Sequence, residues 1–223
     1  MTAHKTIATH SGSFHADDVF GVGVLMGVFP QHSLVRTRKQ ALIDTADFAV
    51  DVGGVWDTAS GRFDHHQRGF AGARPAHLHE GVQTPGVGYA SAGLVWAAHG
   101  AAYVQAFASG LGFDLDAPAL AEIARSIDSA LVQYLDIVDT GQGDVAPGIF
   151  GLSALIAQLN TNWMEEQGHT ADSKAQLQEE RFRHAITITR TFLDRAIVKK
   201  ISQLRSMDIV RNAPRLLGGR VLH

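Results

Sequence analysis

From Thr6 to His66, short β-prone runs alternate with helical apolar spacing, and the runs close on histidine or aspartate. Thr6 to Thr9 stops at His10. After the loop Ser11-Gly12-Ser13, apolar residues at Val19, Phe20, Val22, Val24 and Leu25 have helical spacing. Ser33 to Thr37 is a second candidate strand, and Asp47 to Val52 a third, broken by Gly53-Gly54. Arg62 to His65 is a fourth, after a turn over Asp57 to Gly61. This alternation predicts an α/β fold with a mostly parallel sheet and helices on both faces. Ligands in such sheets sit beyond the carboxyl ends of the strands. His10, Asp51 and Asp64-His65-His66 are therefore expected to converge on one edge.

The rest of the chain reads mainly as helix. Gly69 to Gly88 is a loop carrying Arg74, His77, His79 and Glu80. Helices are predicted from Ala90 to Phe107, from Pro118 to Val138 with Asp116 as a possible cap, and from Ile149 to Leu159. A last, long helix, capped by Asp172 or Ser173, runs to about Arg205 and is followed by a short segment over 206–223. Its apolar positions (Phe182, Ile186, Phe192, Leu193, Ile197, Ile201, Leu204) suit a helix lying against the body.

The 223 residues, 45% hydrophobic, suffice for one sizeable core. The chain has no cysteine, which excludes disulfides, thiolate nucleophiles and cysteine-ligated zinc or iron–sulfur clusters. No apolar run reaches the length a bilayer requires, and no secretory pattern opens the chain, so the expectation is a soluble cytoplasmic protein without membrane contact. Net charge is -3, but the stretch from Lys174 onward has a basic excess over an acidic remainder. Such a tail suits a phosphate-rich partner, or is simply a solvated helix face. No Gly-x-Gly-x-x-Gly follows the first strand, and there is no Gly-Lys-Ser/Thr phosphate loop.

The candidate chemistry lies in nitrogen and oxygen donors. His10, His15, Asp17 and Asp18 fall within one loop and helix start, where they could face one ion, or where the acids could merely complement the helix dipole. Asp51 ends an apolar strand, a costly place for a carboxylate unless it is paired or metal-bound. It suits a bridging ligand, or a turn-forming residue before glycines. In Asp64-His65-His66, strand alternation would send neighbouring side chains to opposite sides, leaving one histidine as ligand and Asp64 as an orienting group. Arg62 and Arg68 could hold substrate oxygens. Asp136 and Asp139, three apart, share a helix face near its end. His99 reads as a helix end, with a substrate contact as the alternative.

The motifs His10-Ser-Gly-Ser-Phe-His15-Ala-Asp17-Asp18, Asp51-Val-Gly-Gly, Arg62-Phe-Asp64-His65-His66-Gln67-Arg68-Gly69-Phe70 and Ser91-Ala-Gly-Leu-Val-Trp96 resemble the melanocyte-proliferating-gene (MYG) family of metal-dependent hydrolases. That family is similar to the phosphoesterases named for their Asp-His-His motif. The resemblance implies two divalent metal ions, commonly manganese with magnesium or zinc as alternatives, and 3′–5′ exonuclease activity on RNA. It implies metal ligands at His10, His15 or Asp17, Asp51, His65 or His66, and Asp139. Asp51, Asp64, His65, His66 and Arg68 would be catalytic, with Arg62, Arg68, His66 and His99 near substrate. A related small-molecule pyrophosphatase or nucleotide phosphodiesterase is the alternative. The family continues into a smaller closing domain. The expected division is a metal-binding catalytic domain over 1–171, a basic linker helix over 172–205 and a remnant of that second domain over 206–223. With the closing domain largely missing, a catalytically weak metal- or RNA-binding protein is a further alternative, and a homodimer through the C-terminal helix is expected.

Overall fold

A computed structural model describes residues 3–79, 82–84, 86–143, 146, 151–216 and 221–222. Its centre is a five-stranded sheet in the order β2-β1-β3-β5-β4. These strands are β1 Lys5–Thr9, β2 His32–Arg36, β3 Phe48–Val50, β4 Trp56–Asp57 and β5 Arg62–Phe63. β1, β2, β3 and β5 run parallel, and the edge strand β4 pairs antiparallel with β5. The expected mostly parallel sheet is therefore present. The Asp57–Gly61 turn is preceded by β4, too short to show a period in the sequence.

Chain direction explains the order. From β1, helix α1 (Ala16–Val28) leads to β2 on one side, and α2 (Gln40–Thr45) returns the chain to β3 on the other. The crevice between β1 and β3 is thus the switch point at which open α/β sheets take ligands. One face of the sheet carries α1 and α3 (Ser91–Gly110), and the long α7 (Ala171–Asn212) packs on these helices. The other carries α2, whose Ile43 packs with Ala49 and Val52.

Helix α1 is buried continuously from Ala16 to Leu25, because it is wedged between sheet, α3 and α7. The five apolar residues that announce it are all fully inside. Gly27 lets α3 come close, since a Cβ there would overlap the Tyr103 ring.

The predicted Pro118–Val138 helix is in fact three joined pieces: α4 (Ala117–Ile127), a π-helical turn (Asp128–Val132) and α5 (Gln133–Asp139). Asp116 caps it as expected, accepting from the Ala119 amide at 2.8 Å. Helix α6 covers Leu152–Ala157, while Ile149 and Phe150 of the predicted helix lie outside the described residues. The 69–88 segment, read as a loop, has strand structure among its described residues. It contains a hairpin of β6 (His77–His79) and β7 (Val82–Thr84), with Ala73 bridged to Gly88. Glu80 lies outside the described residues, as do the side chains of His77 and His79.

Helix α7 runs from Ala171 to Asn212, seven residues beyond the expected end at Arg205. Its cap is Thr170, which accepts from the Ser173 amide at 3.3 Å, and not Asp172 or Ser173. Phe182, Ile186, Leu193, Ile197 and Ile201 form the buried stripe as read from spacing. Phe192 is 54% exposed, because Thr189 and Leu193 fill the inward positions on either side of it. A minor part of the basic excess is met locally: Lys174, Arg181 and Arg183 pair with Glu166, Glu165 and Glu179. A short hairpin of β8 (Arg215–Leu216) and β9 (Val221–Leu222) follows the helix.

Candidate metal centre

Three strand ends deliver the site. β1 hands on to His10, β3 to Asp51 and β5 to Asp64-His65-His66. Asp51 stands in the left-handed backbone region at φ +56, where aspartate is tolerated better than most residues. This turn aims its carboxylate back across the crevice. Oδ2 lies 3.4 Å from His10 Nε2, and Oδ1 lies 3.4 Å from His65 Nε2 and 3.3 Å from His66 Nδ1. Ser91 at the start of α3 donates to Oδ1 at 3.1 Å.

Asp139, at the end of α5, reaches His65 Nε2 at 3.1 Å and lies 3.9 Å from His15 Nδ1. Asp17, in the first turn of α1, lies 3.8 Å from the same His65 nitrogen. Its two oxygens also accept from the Ser91 and Ala92 amides, closing the N-terminus of α3. Three groups of donors have a spacing that could hold an ion: His10–His15–Asp51, Asp51–His65–His66 and Asp17–His65–Asp139. They share Asp51 and His65. Two buried atoms here, His65 Nε2 and Asp18 Oδ2, have no well-aligned hydrogen bond, although Asp139 and His10 approach them to 3.1 Å. Buried nitrogen and oxygen ligands left without aligned hydrogen bonds fit hard divalent cations.

The electrostatics point the same way. Burial opposes charge on His10, but Asp18 and Asp51 override it and raise its pKa to about 9. Burial likewise opposes charge on His65, and Asp139 and Asp51 bring it up to about 10. Asp51 itself, against a smaller effect of burial, holds His66 at about 9 together with Asp64. Burial pushes Asp51 upward, yet His10, His65 and His66 keep it below the ordinary carboxylate range. Asp17 is raised well above that range by burial and by Asp51, Asp139 and Asp136. Crowded carboxylates of this kind favour any cation that can enter.

The profile of the uncharacterised protein family UPF0160 matches residues 6–216. The chain belongs to this family. It is 33% identical over 177 residues to a MYG1 protein of Caenorhabditis elegans, a match covering 76% of this chain and 50% of the relative. It is 29% identical over 227 residues to a MYG1 exonuclease of Mus musculus, covering 96% and 55% of the two chains. It is 30% identical over 176 residues to a MYG1 exonuclease of Homo sapiens, covering 73% and 44%. The chain spans about half the length of these curated relatives. No solved structure matches it.

In this UPF0160 chain the six residues read as metal ligands, His10, His15, Asp17, Asp51, His65 and Asp139, lie together. Both histidines of the triplet face Asp51, contrary to the alternation argument, because β5 ends at Phe63 and the backbone beyond it is no longer extended strand. Asp64 orients: its Oδ2 accepts from the Gly54 amide at 2.6 Å and its Oδ1 from the His66 amide and Nδ1. Asp136 turns away from the crevice. It accepts from the Gly93 amide at 3.0 Å and pairs with Arg74 at 2.7 Å. Arg68 is exposed beside the triplet.

Two expected substrate contacts lie elsewhere. Arg62, at the start of β5 and not its carboxyl end, donates to the Asp44 and Ala46 carbonyls that close α2. His99 packs edge-on against Phe29, Phe48 and Phe63, where burial lowers its pKa. It belongs to the core, as its position one α3 turn beyond buried Val95 and Trp96 allows.

Supporting residues escaped the sequence reading. Asn160 clamps Phe14 by accepting from its amide and donating to its carbonyl, both at 2.8 Å. Arg36 lies over the Phe182 ring and donates to the Gly12 carbonyl at 2.6 Å. Arg38, just past β2, lies against His10. Applied to β2, the strand-end rule would have found Arg38. Nothing local marks Asn160.

Proposed function

We propose that this chain is a divalent-metal-dependent phosphoesterase that acts as a 3′–5′ exonuclease on RNA or short oligonucleotides. The observation that carries the reading is Asp51, one carboxylate with His10 on one oxygen and His65 and His66 on the other. That is how a carboxylate bridges two cations. The exonuclease part comes from the names of the mouse and human relatives.

On this reading His10, His15, Asp17, Asp51, His65 and Asp139 hold the ion pair. Its hard donors favour manganese, with magnesium or zinc as alternatives. Bound there, such ions lower the pKa of a water toward neutrality and stabilise charge on phosphoryl oxygens. The remaining tasks fall to the chain. Asp64 fixes the His66 ring through Nδ1, which leaves Nε2 to deliver a proton to a departing oxygen. Arg68, exposed beside the triplet, meets the backbone of the strand being degraded.

The test is a short end-labelled RNA incubated with the purified chain and manganese. Stepwise shortening from the 3′ end, abolished by chelator, is the expected result. Pyrophosphate or dinucleotide hydrolysis with the RNA untouched would move the assignment to a small-molecule phosphoesterase. Equal hydrolysis with and without chelator would end the metal reading.

A further inference from the structure

We propose that Arg38 and the loop Ser11–Ser13 form a phosphoryl-oxygen subsite on the β2 side of the metal centre. The ligand class is a phosphate group of substrate or product. The choice of substrate class rests on the phosphoesterase reading, whereas the binding test below does not.

The crevice beside the centre is a cavity of about 730 Å³, large enough for a nucleotide. Its lining includes His10, Ser11, Arg38, Asp51, Asp64 and His66. Two of these are carboxylates, and an anion entering the crevice needs a cation on its wall. Arg38 is the one lining side chain with a permanent positive charge. Arg74, by contrast, is already neutralised, lying between Asp128 and Asp136 at 2.6 and 2.7 Å. Among the described residues Arg38 has no carboxylate partner.

The side chain is nevertheless held in place. Nε donates to the Ser11 carbonyl at 3.2 Å, and Nη2 lies 3.2 Å from His10 Nδ1. Only the Ser11 contact uses a guanidinium N–H, because a His10 that is protonated, or that holds an ion through Nε2, carries a proton on Nδ1 and cannot accept from Nη2. The Nη N–H groups are left for the oxygens of a tetrahedral anion, which the planar fork matches in pairs. Gly12, lining the same cavity, has φ +96 and open space where a Cβ would stand, so the loop can admit a phosphate.

Arg38→Gln and Arg38→Lys in the full chain test the assignment, with manganese binding and inorganic phosphate binding both measured by calorimetry. A charge-assisted hydrogen bond to phosphate contributes enough that its loss weakens binding on the order of 10- to 100-fold. We expect that loss of phosphate affinity in Arg38→Gln, partial recovery in Arg38→Lys, and manganese binding as in the parent. Where the parent cleaves RNA, KM should rise more than kcat falls. Phosphate affinity unchanged in Arg38→Gln would overturn the proposal. So would loss of manganese binding in that variant, since Arg38 would then merely support His10. A parent that binds phosphate through Arg38 yet cleaves no phosphoester would sink the functional reading and leave the subsite standing.

Discussion

At the scale of single residues, Asp51 decides most. Its carboxylate touches the histidines of both flanking strand ends, and its left-handed backbone makes that reach possible. Asp51→Asn keeps the shape and the tolerance for that backbone but removes the charge. We expect the variant to keep the fold at neutral pH, with a lowered melting temperature because His10, His65 and His66 lose their shared carboxylate, and to lose metal binding by calorimetry. Parent-like affinity would remove Asp51 from the centre. The histidines give a pH signature. His10, His65 and His66 titrate at about 9, 10 and 9, above the ordinary 6.5. Groups raised in this way stabilise the metal-free fold fully below about pH 6.5, and that stability is lost as pH rises through 9 to 10. The metal-free chain should therefore melt progressively lower from pH 7 to 10. Saturating manganese, which takes the place of those protons, should flatten the trend. A melting temperature of the metal-free chain that stays level or climbs over this range would contradict the charge pattern.

At the scale of elements, the site depends on how helices are seated. The π-helical turn at Asp128–Val132 inserts one extra residue per turn and rotates everything beyond it by about 100° relative to a straight helix. This turn also carries Asp128, which binds Arg74 through both oxygens. Asp136 then faces α3 and Asp139 faces His65. Gly93 is the contact point, because a Cβ there would run into the Asp136 carboxylate. Gly93→Ala should cost about 1–3 kcal/mol by overpacking, read from denaturant unfolding. Unchanged stability would mean that α3 and α5 adjust freely. Helix α7 supports the opposite side of the centre. Phe182 meets Phe14 at 5.4 Å between ring centres, under the His10–His15 loop. Phe182→Ala should cost about 3–5 kcal/mol. It should also weaken manganese binding, because the loop loses its floor. Metal affinity unaffected by that loss would show the loop to be held by Asn160 and Arg36 alone.

For the whole molecule, one sheet edge gathers residues scattered from His10 to Asp139, while the end of α7 stays apart. Met207, Ile209 and Val210 there are exposed, Ile209 by 72%. A homodimer through this segment is the arrangement we expect, with twice the chain mass in light scattering and a return to monomer in Ile209→Glu. A monomer at all concentrations would refute it. Among the described residues no helix is long and apolar enough to cross a membrane. The alternation of strands and helices, with acids and histidines at strand ends, was legible in the sequence. Parallel strands must point their carboxyl ends the same way, so residues placed there converge whatever their separation. Apolar spacing likewise located α1 and the buried stripe of α7, apart from Phe192. Only the tertiary structure decided the rest. It turned both histidines of the triplet inward, since β5 stops before them. It gave Asp136 to Arg74 and the Gly93 amide and Asp139 to His65, both set in rotation by an upstream π-turn that leaves no mark on apolar spacing. It sent His99 into a nest of phenylalanines and Arg62 to backbone carbonyls, and it set Arg38 against His10. Periodicity reports which face of an element is apolar. It does not report which polar groups from distant elements meet, because that depends on how the helices dock.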